Sequence, residues 1–186
     1  MRARRGTDEP VLWEEMVFAA LEDLEQQAAG LELEERVGQV ESLSEAAYAE
    51  VSLASRLQGS VGGGVRVGLV DGAEVSGRLA RAGADWLLLD SGGAEWLVPL
   101  RGAAYVGGLG SSAFPEQHWP LTARLSAGSV LRRLARERRA CVLRLRGGTQ
   151  LHGSLGRVGA DFVTATTGTG EATVPLGALV AVQGLR

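Results

Sequence analysis

Residues 65–109 and 141–185 are two copies of one segment, aligned without a gap at a constant offset of 76 (Val65 to Cys141). Identities fall at Leu69/Leu145, Gly72/Gly148, Gly77/Gly153, Leu79/Leu155 and Arg81/Arg157. They recur in the Gly-Ala-Asp triplets ending at Asp85 and Asp161, at Glu95/Glu171, and in the Val-Pro-Leu runs ending at Leu100 and Leu176. A duplication with matched turns makes each copy one packed unit under the same steric demand. Each is near the lower size limit for independent folding, so the copies must pack on helices or on each other.

Within a copy the pattern is that of short strands. Val65, Val67 and Leu69 alternate with Arg66 and Gly68, which fits a half-buried strand. Asp71-Gly72 is a hairpin signal, because glycine reaches positive φ without steric cost. Gly77 inside the next strand marks a bulge or a sharp bend. Turns at Gly83-Ala84-Asp85 and Ser91-Gly92-Gly93 then separate residues 86–89, 95–100 and 103–109, for five short strands per copy. That count, with a glycine in the long second strand, predicts a small closed barrel.

Upstream, Asp8-Glu9-Pro10 is a helix start, followed by an apolar stripe that includes Trp13, Met16, Val17 and Leu24. After Gly30, the residues Leu33, Val37, Val40, Ser44, Ala47, Val51 and Ala54 keep heptad spacing up to the breaks at Gly59 and Gly62-Gly63-Gly64. The two stretches form either a hairpin or one long helix. Between the copies Pro115 and Pro120 mark a linker carrying Phe114 and Trp119, and Ser126 or Ser129 caps a short helix containing Leu131 and Leu134. The expected organisation is a disordered 1–7, an acidic helical segment 8–60, a first unit 61–110, a linker 111–128 and a second helix-plus-strand unit 129–186. The fold class is α+β: N-terminal acidic helices, then two five-stranded barrels, each preceded by a helix.

Charge is unevenly spread. Residues 8–55 hold 13 acidic groups against Arg36, whereas residues 56–186 hold 15 arginines against 9 acidic groups. The halves are electrostatically complementary, which suits docking within a chain, between chains, or onto separate partners. One cysteine, Cys141, excludes an internal disulfide framework and suits a reducing compartment. No apolar run approaches a membrane span, and no secretory h-region follows the basic N-terminus, so a cytoplasmic protein with no membrane association is expected.

A preceding helix and five short strands, with V-x-V-x-L-x-D-G-x-x-x-x-G-x-L from Val65 to Leu79 and Leu100-Arg101-Gly102 before a closing strand, resemble the Sm and Sm-like family of small barrels. The resemblance implies that fold, and it implies ligand positions at Asp85, Arg101, Gly102 and Asp161. The second copy departs from it, with Gly147-Gly148 for Asp-Gly and Leu176-Gly177-Ala178 for the Arg-Gly segment.

Other candidate sites come from residue chemistry. Arg132, Arg133, Arg136, Arg139, Arg144 and Arg146 make the one dense basic surface, suited to nucleic acid or to an acidic protein. No aromatic residue alternates with these arginines, so a base-stacking platform is not evident. Trp13, Trp96 and Trp119 are candidate interface aromatics, and Asp85 and Asp161 are placed to bond turn amides. His118 and His152 have no counterpart in the other copy; neither catalysis, nor a cofactor, nor a metal site is expected. The expected role is a non-enzymatic binding or assembly module with protein partners or self-association, the alternative being an RNA- or DNA-binding regulator that uses the Arg132–Arg146 surface.

Overall fold

The structure, a computed structural model, describes residues 48–184. The chain divides into two compact units, Met1–Glu50 and Val51–Arg186. Of the first, only Tyr48, Ala49 and Glu50 are described, and all three are exposed. The expectations of disorder over 1–7, of acidic helices over 8–47 and of an interface at Trp13 lie outside the described residues.

The described residues of the second unit hold two α-helices and ten strands. Helix α1 (Leu53–Gly59) leads into β1 (Gly64–Leu69), β2 (Glu74–Ala82), β3 (Trp86–Ser91), β4 (Ala94–Pro99) and β5 (Ala103–Gly107). Helix α2 (Ala127–Glu137) leads into β6 (Ala140–Leu145), β7 (Gln150–Val158), β8 (Phe162–Thr167), β9 (Gly170–Pro175) and β10 (Leu179–Gly184). The heptad seam does not run unbroken to Ala54. Ser52 is extended and its hydroxyl accepts the Ser55 amide, so a new helix starts at Leu53. Ser126 caps α2 in the same way, accepting the Ser129 amide. No helix among the described residues is long and apolar enough to cross a membrane.

The strands do not close into two barrels. They form one antiparallel ten-stranded sheet in the order β5-β1-β2-β3-β4-β10-β6-β7-β8-β9. The reason lies in the pairing. Each copy's fifth strand lies beside its own first, so its fourth strand pairs with the third on one edge and has no partner within the copy for the other. Strand β4 finds that partner in the other copy: Glu95, Trp96 and Leu97 face Gly184, Gln183 and Val182 of β10. The glycine inside the second strand acts as a point of close approach rather than of closure. A Cβ at Gly77 would press on the Asp90 carbonyl, and at Gly153 on the Thr166 carbonyl. The register irregularity falls farther along, between Leu79 and Arg81 and between Leu155 and Val158.

The hairpin reading of Asp71-Gly72 agrees with the structure. Gly72 has φ 87° and the Asp71 carboxylate accepts the Ala73 amide. The core is exchanged across the seam. Val180 and Ala181 of β10 join the first copy's cluster around Leu57, Val67, Leu79 and Leu87. Trp86 and Leu97 join the second copy's cluster around Leu131, Leu143, Leu155 and Val163. Full burial of one such side chain is worth about 1.5–3 kcal/mol, so neither copy could be separated without losing several.

Candidate functional site

The seam between β4 and β10 is the most specified part of the surface that either copy presents. Three contacts outside the strand ladder hold it. Arg144, on β6, lays its Nε and one terminal nitrogen on Asp71 Oδ2, each at 2.8 Å. The Asp71 side chain is 0% exposed and that of Arg144 16%, so this ion pair is screened from water. Arg146, steadied within its own copy by the Gly177 carbonyl, donates across the seam to the Arg101 carbonyl, and Arg101 donates back to the Leu176 carbonyl at 2.9 Å. Gly102, beside them, is buried against β10: a Cβ there would run into the Val180 carbonyl. Glycine is therefore required by close approach of backbone, not by its own φ.

A second set of contacts lies at the start of β3, opposite Pro99 at the end of β4. Asp85 Oδ1 accepts the Ala127 amide at 2.8 Å, satisfying a free N–H in the first turn of α2. Trp86 is 4% exposed and donates its indole N–H to the Leu125 carbonyl at 2.7 Å. The first copy thus holds the segment from Leu125 to Ala127 by one carboxylate and one aromatic. At the equivalent place in the second copy Asp161 is exposed, and no hydrogen bond or ion pair among the described residues engages its carboxylate. Phe162, the counterpart of Trp86, is 38% exposed. The socket is present twice and, among the described residues, filled once.

These placements sort the residues singled out in the sequence. Asp85 bonds a helix terminus rather than its own turn. Arg101 and Gly102 serve the seam, as do Arg144 and Arg146. Arg132 donates to the carbonyls of Val158 and Gly159. Arg133, Arg136 and Arg139 are exposed, with Arg136 facing a broad groove between α2 and the β7–β8 strands that Arg132, Arg138, Arg157 and Glu171 also line. Trp96 is half-buried on β4 at the seam. Trp119 is buried with Ala54 and Ala123 and donates to the Phe114 carbonyl, pinning the linker to α1. His118 lies near Phe114, with ring centroids 6.1 Å apart, and His152 is exposed on β7.

Cys141 lines a small cavity beside the seam with Leu88, Leu97, Leu134, Leu155 and Val182, which Glu95, Glu137 and Arg139 also border. Burial pushes its thiol above the ordinary value. At the outer edge, Tyr105 donates to Glu74, which also faces Arg66 at 3.5 Å. The hydrogen bond to that carboxylate, then lost hydration and the Glu74 charge, raise the Tyr105 phenol above its usual range.

The Asp71–Arg144 pair escapes a reading that looks for what the copies share. Its signal is the opposite: Asp71 faces Gly147 in the alignment and Arg144 faces Gly68, two charges gained in opposite copies. A comparison with protein-family models returns no match, and neither does one with curated proteins.

Proposed function

We propose that this protein is a non-enzymatic protein-binding module that receives a polypeptide segment at the open end of its second copy. One observation carries the reading: the socket that Asp85 and Trp86 fill with Leu125–Ala127 recurs, unfilled by any described residue, at Asp161 and Phe162. A segment entering there would offer a free amide to Asp161 and an apolar side chain to Phe162. Beside it, among the described residues, β9 borders β8 on one side only and leaves its other edge as a template for strand pairing. Kinship with the Sm-like family belongs to the same proposal and rests on the Val65–Leu79 motif.

The chain supplies its own probe. A labelled peptide of residues 119–133, the segment held by the first socket, is titrated into the full chain and followed by fluorescence anisotropy. Saturable binding at one site is expected, with loss of at least tenfold in affinity in Phe162→Ala and Asp161→Asn. Equal binding to wild type and both variants, or none to wild type, removes the reading.

A second reading is favoured by the groove lined by Arg132, Arg136, Arg138 and Arg157, whose charge suits a polyanion. It predicts that a labelled single-stranded RNA binds with affinity falling steeply with salt. It also predicts that Arg136→Glu with Arg157→Glu abolishes binding while leaving the peptide titration unchanged.

A further inference from the structure

We propose that the two ends of the sheet are built to refuse a second copy of this chain, so that a pairing of the β4–β10 kind is not repeated between β9 of one molecule and β5 of the next. The inference rests on the reading of the open end as a docking surface and narrows its partner to something other than this protein. The repeat makes it testable residue by residue. If a neighbouring chain docked as the second copy docks on the first, β9 would meet the neighbour's β5, and every seam residue would have a counterpart 76 positions away.

Those counterparts do not fit. Gly102 leaves room for the Val180 carbonyl, but its counterpart is Ala178, whose Cβ would strike the neighbour's backbone at Ala104. The Asp71–Arg144 pair becomes Gly147 and Gly68, and the place of the arginine is covered by Tyr105, which packs so closely on Gly68 that no Cβ is admitted. Its own counterpart, Ala181, leaves that space open in the second copy. Leu97, which enters the neighbouring core, becomes Thr173, and Trp96 beside it becomes Ala172, so that apolar contribution is missing. The receiving strand also falls short. Gly184 pairs with Glu95 at the seam, whereas its counterpart Gly108 lies past the end of β5 with φ 83°. Short edge strands that turn away are a recognised defence against edge-to-edge association.

The test repairs the ends separately in the full chain. One variant carries Gly147→Asp, Thr173→Leu and Ala178→Gly; the other carries Gly68→Arg, Ala104→Val and Tyr105→Ala. Light scattering should give each variant the wild-type mass, and mixing them should give a 1:1 complex that wild type does not form at the same concentration. A mixture that stays apart overturns the inference. So does a wild-type mass that falls when proline replaces Ala172 or Thr173, whichever retains the folded far-UV spectrum, since one of two neighbouring amides on an edge strand faces outward. If the repaired variants do not fold, the proline comparison decides alone: unchanged mass upholds the inference and lowered mass ends it. A lowered mass with the peptide titration intact removes this inference only, whereas failure of the peptide to bind removes the docking reading beneath it.

Discussion

The seam and the outer ends of the sheet descend from the same segment and do opposite things with it. At the seam, Leu97 is 1% exposed and Asp71 is sealed against Arg144. At the ends, Tyr105 is 53% exposed and the charges of Arg66 and Glu74 stay in water. A strand edge carries the same backbone groups wherever it lies, so backbone pairing alone would make the edges of β4, β10, β5 and β9 equivalent. The difference is made by a few side chains: one missing Cβ, one buried ion pair, one large apolar pair. Specificity in a sheet is written beside the ladder rather than in it.

The largest effect should come from breaking the seam's ion pair. Asp71→Ala strands Arg144 in a mostly dry site and is expected to cost about 3–5 kcal/mol in urea unfolding followed by tryptophan emission. Arg66→Ala at the outer edge, breaking a pair open to solvent, should cost below about 1 kcal/mol. Equal losses would mean that the seam is no drier than the end. Next comes Leu97→Ala, expected at about 2–5 kcal/mol as a cavity between the two cores, against about 0.5 kcal/mol or less for Thr173→Ala. Gly102→Ala should cost about 1–3 kcal/mol by forcing β10 away, while the reverse change at the end, Ala178→Gly, should cost less than about 1 kcal/mol.

The smallest effect is a titration. Tyr105 is one of two tyrosines, and its absorbance near 295 nm should rise at higher pH than that of an ordinary phenol. Glu74→Gln should return it toward the ordinary value. Because the folded value is the higher one, whatever stability the contact adds is present below the unfolded value and fades as pH rises through the folded one. A phenol indifferent to Glu74 would show that the outer edge holds no fixed geometry at all.

The strands were legible because their signals are local. Asp71-Gly72 demands a hairpin, and Val65, Val67 and Leu69 alternate on one face whatever surrounds them. Closure was misread because a count of five strands says nothing about which two edges meet. That depends on Gly102 admitting a carbonyl from 78 positions farther along the chain (Val180), which no window of sequence displays. Arg144 and Arg146 read as a basic patch for the same reason. Their partners, Asp71 and the Arg101 carbonyl, belong to the other copy. The recurrence of Asp85 and Asp161 was visible, but not that Asp85 is satisfied while no described residue engages Asp161, since the segment that meets Asp85, Leu125–Ala127, lies outside the repeat.

The pairing of β4 with β10 also imposes an order on synthesis. The edge of β4 is complete once Pro99 has left the ribosome, yet the strand that covers it starts at Leu179, 80 residues later (179 minus 99). At about 5–20 residues per second the nascent chain carries that apolar edge, with Trp96 and Leu97, uncovered for about 4–16 s. A cell making this protein therefore handles, in every round of translation, an intermediate whose open edge is the one on which the finished molecule most depends.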